Sequence, residues 1–204
     1  MSSRDSILAT VARNQPAGLP LPVVPSFVLE EEDLVEKFTN VAVGIGSKVF
    51  RVKSLEEVKQ VLLEEHGTSG RIISSFPQFS AIAETAIAPD VDPHSLADVH
   101  LAVLPAQLGV AENGALWVTD AQLPLRVLPF ICQHLALVVP QQSIVPLMQQ
   151  AYEVIGVQDY GFGTFIAGPS KTADIEQSLV LGAHGARTLS IFLYYQTQDK
   201  RLIF

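Results

Sequence analysis

The run Leu135-Ala-Leu-Val-Val139 constrains this chain more than any other stretch, because it offers no polar residue to a solvated face. A strand of that kind is buried on both sides, as at the centre of a parallel sheet. Further β-rich runs are spaced around it at Lys48–Val52, Arg71–Ser75, Val99–Val103, Gly114–Thr119 (with Trp117 inside), Gly163–Ala167 and Thr188–Tyr195. Helical patterns fall between them. One opens on the acidic residues Glu30 to Asp33 and continues through Phe38; another opens on Ser54 with Glu57 three residues on, a capping box. A third is read as capped by Ser143 and passes through Met148, Tyr152 and Ile155, and a fourth carries Ile175, Leu179 and Val180. Alternation of this sort predicts an α/β fold: an open, mainly parallel sheet with helices on both faces.

The length of 204 residues suits one hydrophobic core, and 48% hydrophobic against 17% charged residues supplies enough apolar surface to fold without a disulfide. Residues 1–28 read as an N-terminal helix, with Ile7, Leu8 and Val11 on one face, followed by a Pro-rich arm from Pro16 to Pro25. Residues 29–204 then form a single α/β domain.

A net charge of −8 with 13 Lys and Arg opposes the counterion-release binding that nucleic acids reward. Cys132 is the sole cysteine, so an iron–sulfur cluster held by this chain alone is excluded. His66, at a helix end before Gly67, reads as a C-cap; His94, His100 and His134 show no paired ligand spacing, and no metal is assigned. The first residues lack the apolar core of a signal peptide, and no stretch approaches the ~18 apolar residues of a membrane span. The expected location is the cytoplasm.

Gly168-Pro-Ser-Lys-Thr172 places small residues where a strand is expected to give way to a helix. Backbone N–H groups there could converge on an anion, with Ser170 and Thr172 beside them and Lys171 adding charge. Equally, Ser170 or Thr172 could cap the helix while Asp174 and Glu176 satisfy its dipole. Two apart on a helix, Asp174 and Glu176 would project about 200° from each other and could not chelate one metal together. The second glycine of a nucleotide phosphate loop is missing. His184, between Gly182 and Gly185, is a proton donor, a ligand or a helix C-cap. Glu112-Asn113-Gly114 is either a polar turn or the seat of a nucleophilic carboxylate supported by Asn113. Cys132 reads as a small hydrophobe.

Gly168-Pro-Ser-Lys-Thr-Ala-Asp-Ile-Glu176 followed by Leu181-Gly-Ala-His-Gly185 resembles the close of the lactate utilisation protein C family, built on the LUD domain. Ser3–Leu8, Asp92–Asp98 and Gly109–Gly114 are similar to that family's opening and middle. The resemblance implies a fold similar to the sugar-phosphate isomerase and coenzyme A transferase group. It also implies an accessory role beside two iron–sulfur partner proteins that oxidise L-lactate to pyruvate, with the clusters in the partners; the chemical task of this chain is not implied, and a small carboxylate is a candidate ligand for the Gly168–Thr172 turn. Glu112-Asn113-Gly114 is similar to the element in which coenzyme A transferases hold a nucleophilic glutamate. The alternative it implies is a free-standing acyl or coenzyme A-dependent enzyme with Glu112 and His184 as catalytic groups. The chain departs from the family at Leu104-Pro-Ala-Gln107, where many relatives carry a Thr-Gly-Ala-Asp stretch, and at Asn113, where they tend to carry Thr.

Overall fold

The computed structural model describes residues 2–20, 22–23, 25, 33–67, 69–88, 90–158, 160–173 and 179–195. The chain divides into two units, Met1–Glu30 and Glu31–Phe204. In the first, α1 (Ser3–Arg13) is fixed by a reciprocal capping box: the Asp5 N–H donates to the Ser2 side chain, and the Ser2 N–H donates to the Asp5 carboxylate at 2.9 Å. No residue of α1 is buried.

The second unit opens with α2 (Leu34–Gly44), where Asp33 accepts from the Val35 and Glu36 N–H groups, and then β1 (Lys48–Val52). Ser54 caps α3 (Leu55–His66), and β2 (Arg71–Ser74) and β3 (Val99–Pro105) follow. Next come β4 (Leu108–Val110), β5 (Ala115–Thr119), the short α4 (Leu128–Ile131) and β6 (His134–Pro140). β7 (Ile144–Val145), α5 (Met148–Ile155) and β8 (Gly163–Ile166) precede β9 (Lys171–Ala173), β10 (Leu179–Leu181) and β11 (Thr188–Tyr194).

Five strands pair in the order β1-β11-β6-β3-β2, every pair parallel, with the apolar β6 in the middle. This is an open parallel α/β sheet. Its two faces follow from alternation along each strand. On one face Leu101, Val103, Ala136, Val138 and Phe192 pack against Val58 and Leu62 of α3. On the other, Ala102, Leu104, Leu135, Leu137 and Ile191 meet Phe38 and Ala42 of α2 and also Leu116 and Val118 of β5. Full burial of a Phe or Leu side chain contributes about 1.5–3 kcal/mol, so these two layers hold the sheet in place.

β5 belongs to a second, mixed sheet of order β7-β4-β5-β8, in which only β4 and β7 run parallel. Leu108, Val110 and Trp117 on its far side are covered by Ala151 and Ile155 of α5. The strands read at Gly114–Thr119 and Gly163–Ala167 therefore form their own layer rather than extending the parallel sheet.

Two expectations need correction. The helix expected to carry Leu179 and Val180 is instead an antiparallel pair, with Leu179 opposite Ala173, Val180 opposite Thr172 and Leu181 opposite Lys171. The pairing is extended by the Gly182 N–H donating to the Ser170 carbonyl at 3.0 Å, and this tertiary context overrides helix propensity. Asp174, Ile175 and Glu176 lie outside the described residues. Ser143 caps no α-helix: it ends a 3-10 turn, and α5 begins beyond Pro146, which biases the residue before it away from helical geometry.

Candidate functional site

β8 ends at Ile166, and the chain then turns tightly over the C-terminus of α2. Gly168 has φ 73°, and a Cβ there would lie 3.0 Å from the Ile45 carbonyl oxygen, so the turn needs glycine for both conformation and approach. The Ser170 N–H donates to the Ala186 carbonyl at 2.8 Å, which ties the Gly168–Lys171 turn to the loop carrying His184. With that donor committed and no helix starting here, the converging backbone amides expected of this segment are not what the turn presents. Its polar equipment is in its side chains.

Those side chains border a crevice of about 560 Å³, within the range of small-molecule sites. Gly168, Ser170, Lys171, His184 and Asn113 line it, over an apolar base that includes Phe130, Leu135, Phe165 and Leu189. Thr172 and Glu112 are not among its lining residues. Leu135 and Leu189 are the second residues of β6 and β11, so the crevice opens at the amino edge of the parallel sheet. Ligands in open α/β sheets generally gather at the carboxyl ends of the strands, and this crevice departs from that rule.

The Lys171 Nζ donates to the carbonyl of Ile45, the C-cap of α2, where a cation suits the negative end of the helix. An ammonium carries three donors, so one such bond leaves capacity for an anion in the crevice. Asn113 Oδ1 accepts from the Ala115 N–H at 3.0 Å and shapes the turn into β5. His184 is exposed on the rim.

Glu112 has a different task. Its Oε2 accepts from the Met148 N–H at 2.9 Å, capping α5 in place of its own N-cap residue Leu147, which makes no side-chain cap. Glu112 and His184 therefore do not line a common site. Cys132 is buried, and burial pushes its thiol up to about 12, which removes the thiolate on which nucleophilic chemistry depends.

The structure also gathers residues that sequence spacing left scattered. One ring nitrogen each of His66, His100 and His134 lies within 4.8 Å of the others, against the α3 face. Burial, then the neighbouring His66 and His100, lowers His134 to about 4; burial is also the leading cause holding His66 below its usual range. No local motif holds this cluster: the β3–β6 pairing, the register step in β3 and the end of α3 bring its members together.

A family model described as the LUD domain matches residues 93–194, half of the chain. A lactate utilization protein C of Geobacillus kaustophilus is 29% identical over 144 residues, covering 59% of this chain and 60% of that protein. One from an Exiguobacterium species is 24% identical over 182 residues, covering 81% and 79%. Among solved structures, a DUF162 family protein from Deinococcus radiodurans has a similar fold, with a TM-score of 0.58 at 16% identity over 79% of this chain and 96% of that one.

Proposed function

This chain belongs to the LUD domain family, and from that premise we propose that it is an accessory protein of lactate utilisation that takes a small carboxylate in the crevice at Gly168–Lys171 and docks on iron–sulfur partner proteins. The observation that carries the ligand reading is the placement of Lys171, Ser170 and His184 around one apolar-based crevice. A 2-hydroxy acid or its keto form matches that chemistry. Its carboxylate pairs with the Lys171 ammonium, its α-oxygen meets Ser170 Oγ or the His184 imidazole, and its methyl group rests on the apolar base. The relatives named for lactate utilisation supply the substrate class. Partner docking draws on the exposed apolar residues Leu179, Val180 and Leu181 of β10.

The test is titration of the purified chain with L-lactate and with pyruvate, following the His184 imidazole by NMR. The expected result is saturable binding that Lys171→Ala weakens about tenfold or more and that Glu112→Gln leaves unchanged. Failure of either acid to bind, or equal weakening by both substitutions, would overturn the carboxylate site. A strain lacking the chain should lose growth on L-lactate and keep growth on pyruvate. Unchanged growth on both would overturn the lactate role.

A further inference from the structure

Three imidazoles from three separate elements meet at the amino edge of the parallel sheet: His66 ends α3, His134 begins β6, and His100 is the second residue of β3. Their ring centroids lie 4.6, 4.8 and 5.9 Å apart. A departure from regular strand geometry brings them there. The register of β2 and β3 steps from Arg71 opposite Val99 to Ile72 opposite Leu101, so His100 is the extra residue of a bulge. Val99 belongs to the core on one face and Leu101 to the core on the α3 face, and the bulge sets His100 on the α3 side with Leu101. Bulges re-aim side chains in this way beside functional sites. Gly70 accommodates the ring: it has φ +112°, and a Cβ there would lie 2.7 Å from the His100 Cβ.

Packing alone does not account for the cluster. The His66 side chain is only 9% exposed, yet its Nε2 is buried without a hydrogen-bond partner. A buried orphan of that kind costs about 1–3 kcal/mol and calls for an explanation such as an ion. His134 Nδ1 lies 2.8 Å from Thr188 Oγ1, an outer contact that orients the ring; when Nδ1–H donates to that hydroxyl, Nε2 keeps its lone pair for an ion. Beside them Glu65 is held by Lys48 Nζ at 2.6 Å and Ser190 Oγ at 3.3 Å, and its carboxylate lies 4.0 Å from His66 Nε2.

We propose that His66, His100 and His134 bind a divalent transition-metal ion of the zinc class, with a fourth position open to water or an added ligand. Three nitrogen donors without a carboxylate select zinc, cobalt, nickel or copper over magnesium and calcium. Tetrahedral ligation at about 2.0–2.1 Å requires donor separations of about 3.4 Å, so rotation of the side chains draws the cluster inward as the ion enters. The site is distinct from the carboxylate crevice: His134 faces α3, whereas its neighbour Leu135 lines the crevice on the opposite face of β6.

The experiment uses the full chain without a polyhistidine tag, stripped with chelator and titrated with Co²⁺ and then Zn²⁺. Expected are visible d–d absorption bands of a four-coordinate cobalt site saturating at one equivalent, and their loss on zinc addition. Thr188→Val should weaken affinity about 10–100-fold, and His100→Gln and His134→Gln should weaken it more, while exposed His94→Ala changes nothing. Because a histidine variant can fail to fold, the wild-type chain is also followed by histidine NMR during zinc addition. Perturbation of the three clustered rings, with His94 unmoved, supports the site. Absence of saturable cobalt binding, full affinity in both Gln variants, or perturbation confined to His94 and His184 would overturn it.

Discussion

Burial decides chemistry residue by residue in this chain. Cys132 sits in the core between the two sheets, 2% exposed, with its thiol held far above neutral pH. A thiol reagent should therefore leave Cys132 unmodified in the native chain and label it stoichiometrically once urea has unfolded the protein. Rapid labelling at neutral pH without denaturant would show the thiol to be accessible. Lys171 shows the opposite balance, exposed and yet anchored to the end of α2. The sequence alone left His184 and the Gly168–Lys171 turn open between capping and binding, because both uses favour the same residue types. The histidine cluster was illegible for a different reason. Its members are brought together by strand register and a bulge, and neither leaves a local pattern.

At the scale of elements, α5 and Glu112 form one unit. The helix begins two residues after Pro146 without a capping side chain of its own, and the Glu112 carboxylate, arriving from the turn between β4 and β5, takes that place. Glu112→Ala should lower unfolding stability by about 0.5–2 kcal/mol, whereas Ser143→Ala should cost less than about 0.5 kcal/mol. Urea denaturation of the two variants checks this, and an equal loss in both would return the capping role to Ser143. At α3 the Glu57 carboxylate takes the Lys53 N–H rather than closing a capping box on Ser54. The elements that sequence reasoning placed correctly, β6 at the sheet centre and α3 behind its Ser54 cap, carry their signal within a few adjacent residues. The β9–β10 pair does not. Lys171–Ala173 and Leu179–Leu181 are each too short to show a period, and what holds them is mutual pairing together with the Ser170–Gly182 and Ser170–Ala186 bonds. β4 and β7, of 3 and 2 residues, were invisible for the same reason, and with them the second sheet.

For the molecule as a whole, folding stability is tied to pH through the same face of the sheet. His66 and His134 are held neutral in the folded chain, chiefly by burial, with His134 lowered to about 4. Lys48, Arg187 and His100 also disfavour their protonation, and only Glu65 acts the other way, on His66. The unfolded chain binds these protons near the ordinary histidine value of about 6.5. A base whose folded value is depressed leaves stability untouched above the unfolded value and removes it as pH falls, because the unfolded state then binds more protons. In metal-stripped protein, stability should hold from about pH 7.5 to about pH 6.5, decline towards about pH 4, and flatten for the His134 contribution below that, where the folded chain binds the proton too. Carboxylates held low, such as Asp92, chiefly through the His94 backbone N–H, add their own loss only below about pH 5, so the histidine slope is read between about pH 6.5 and about pH 5. Urea midpoints across the range measure the slope, and His134→Gln should reduce it by removing one of its two sources. A flat profile between about pH 6.5 and about pH 5, or an undiminished slope in His134→Gln, would place the acid sensitivity of this fold elsewhere.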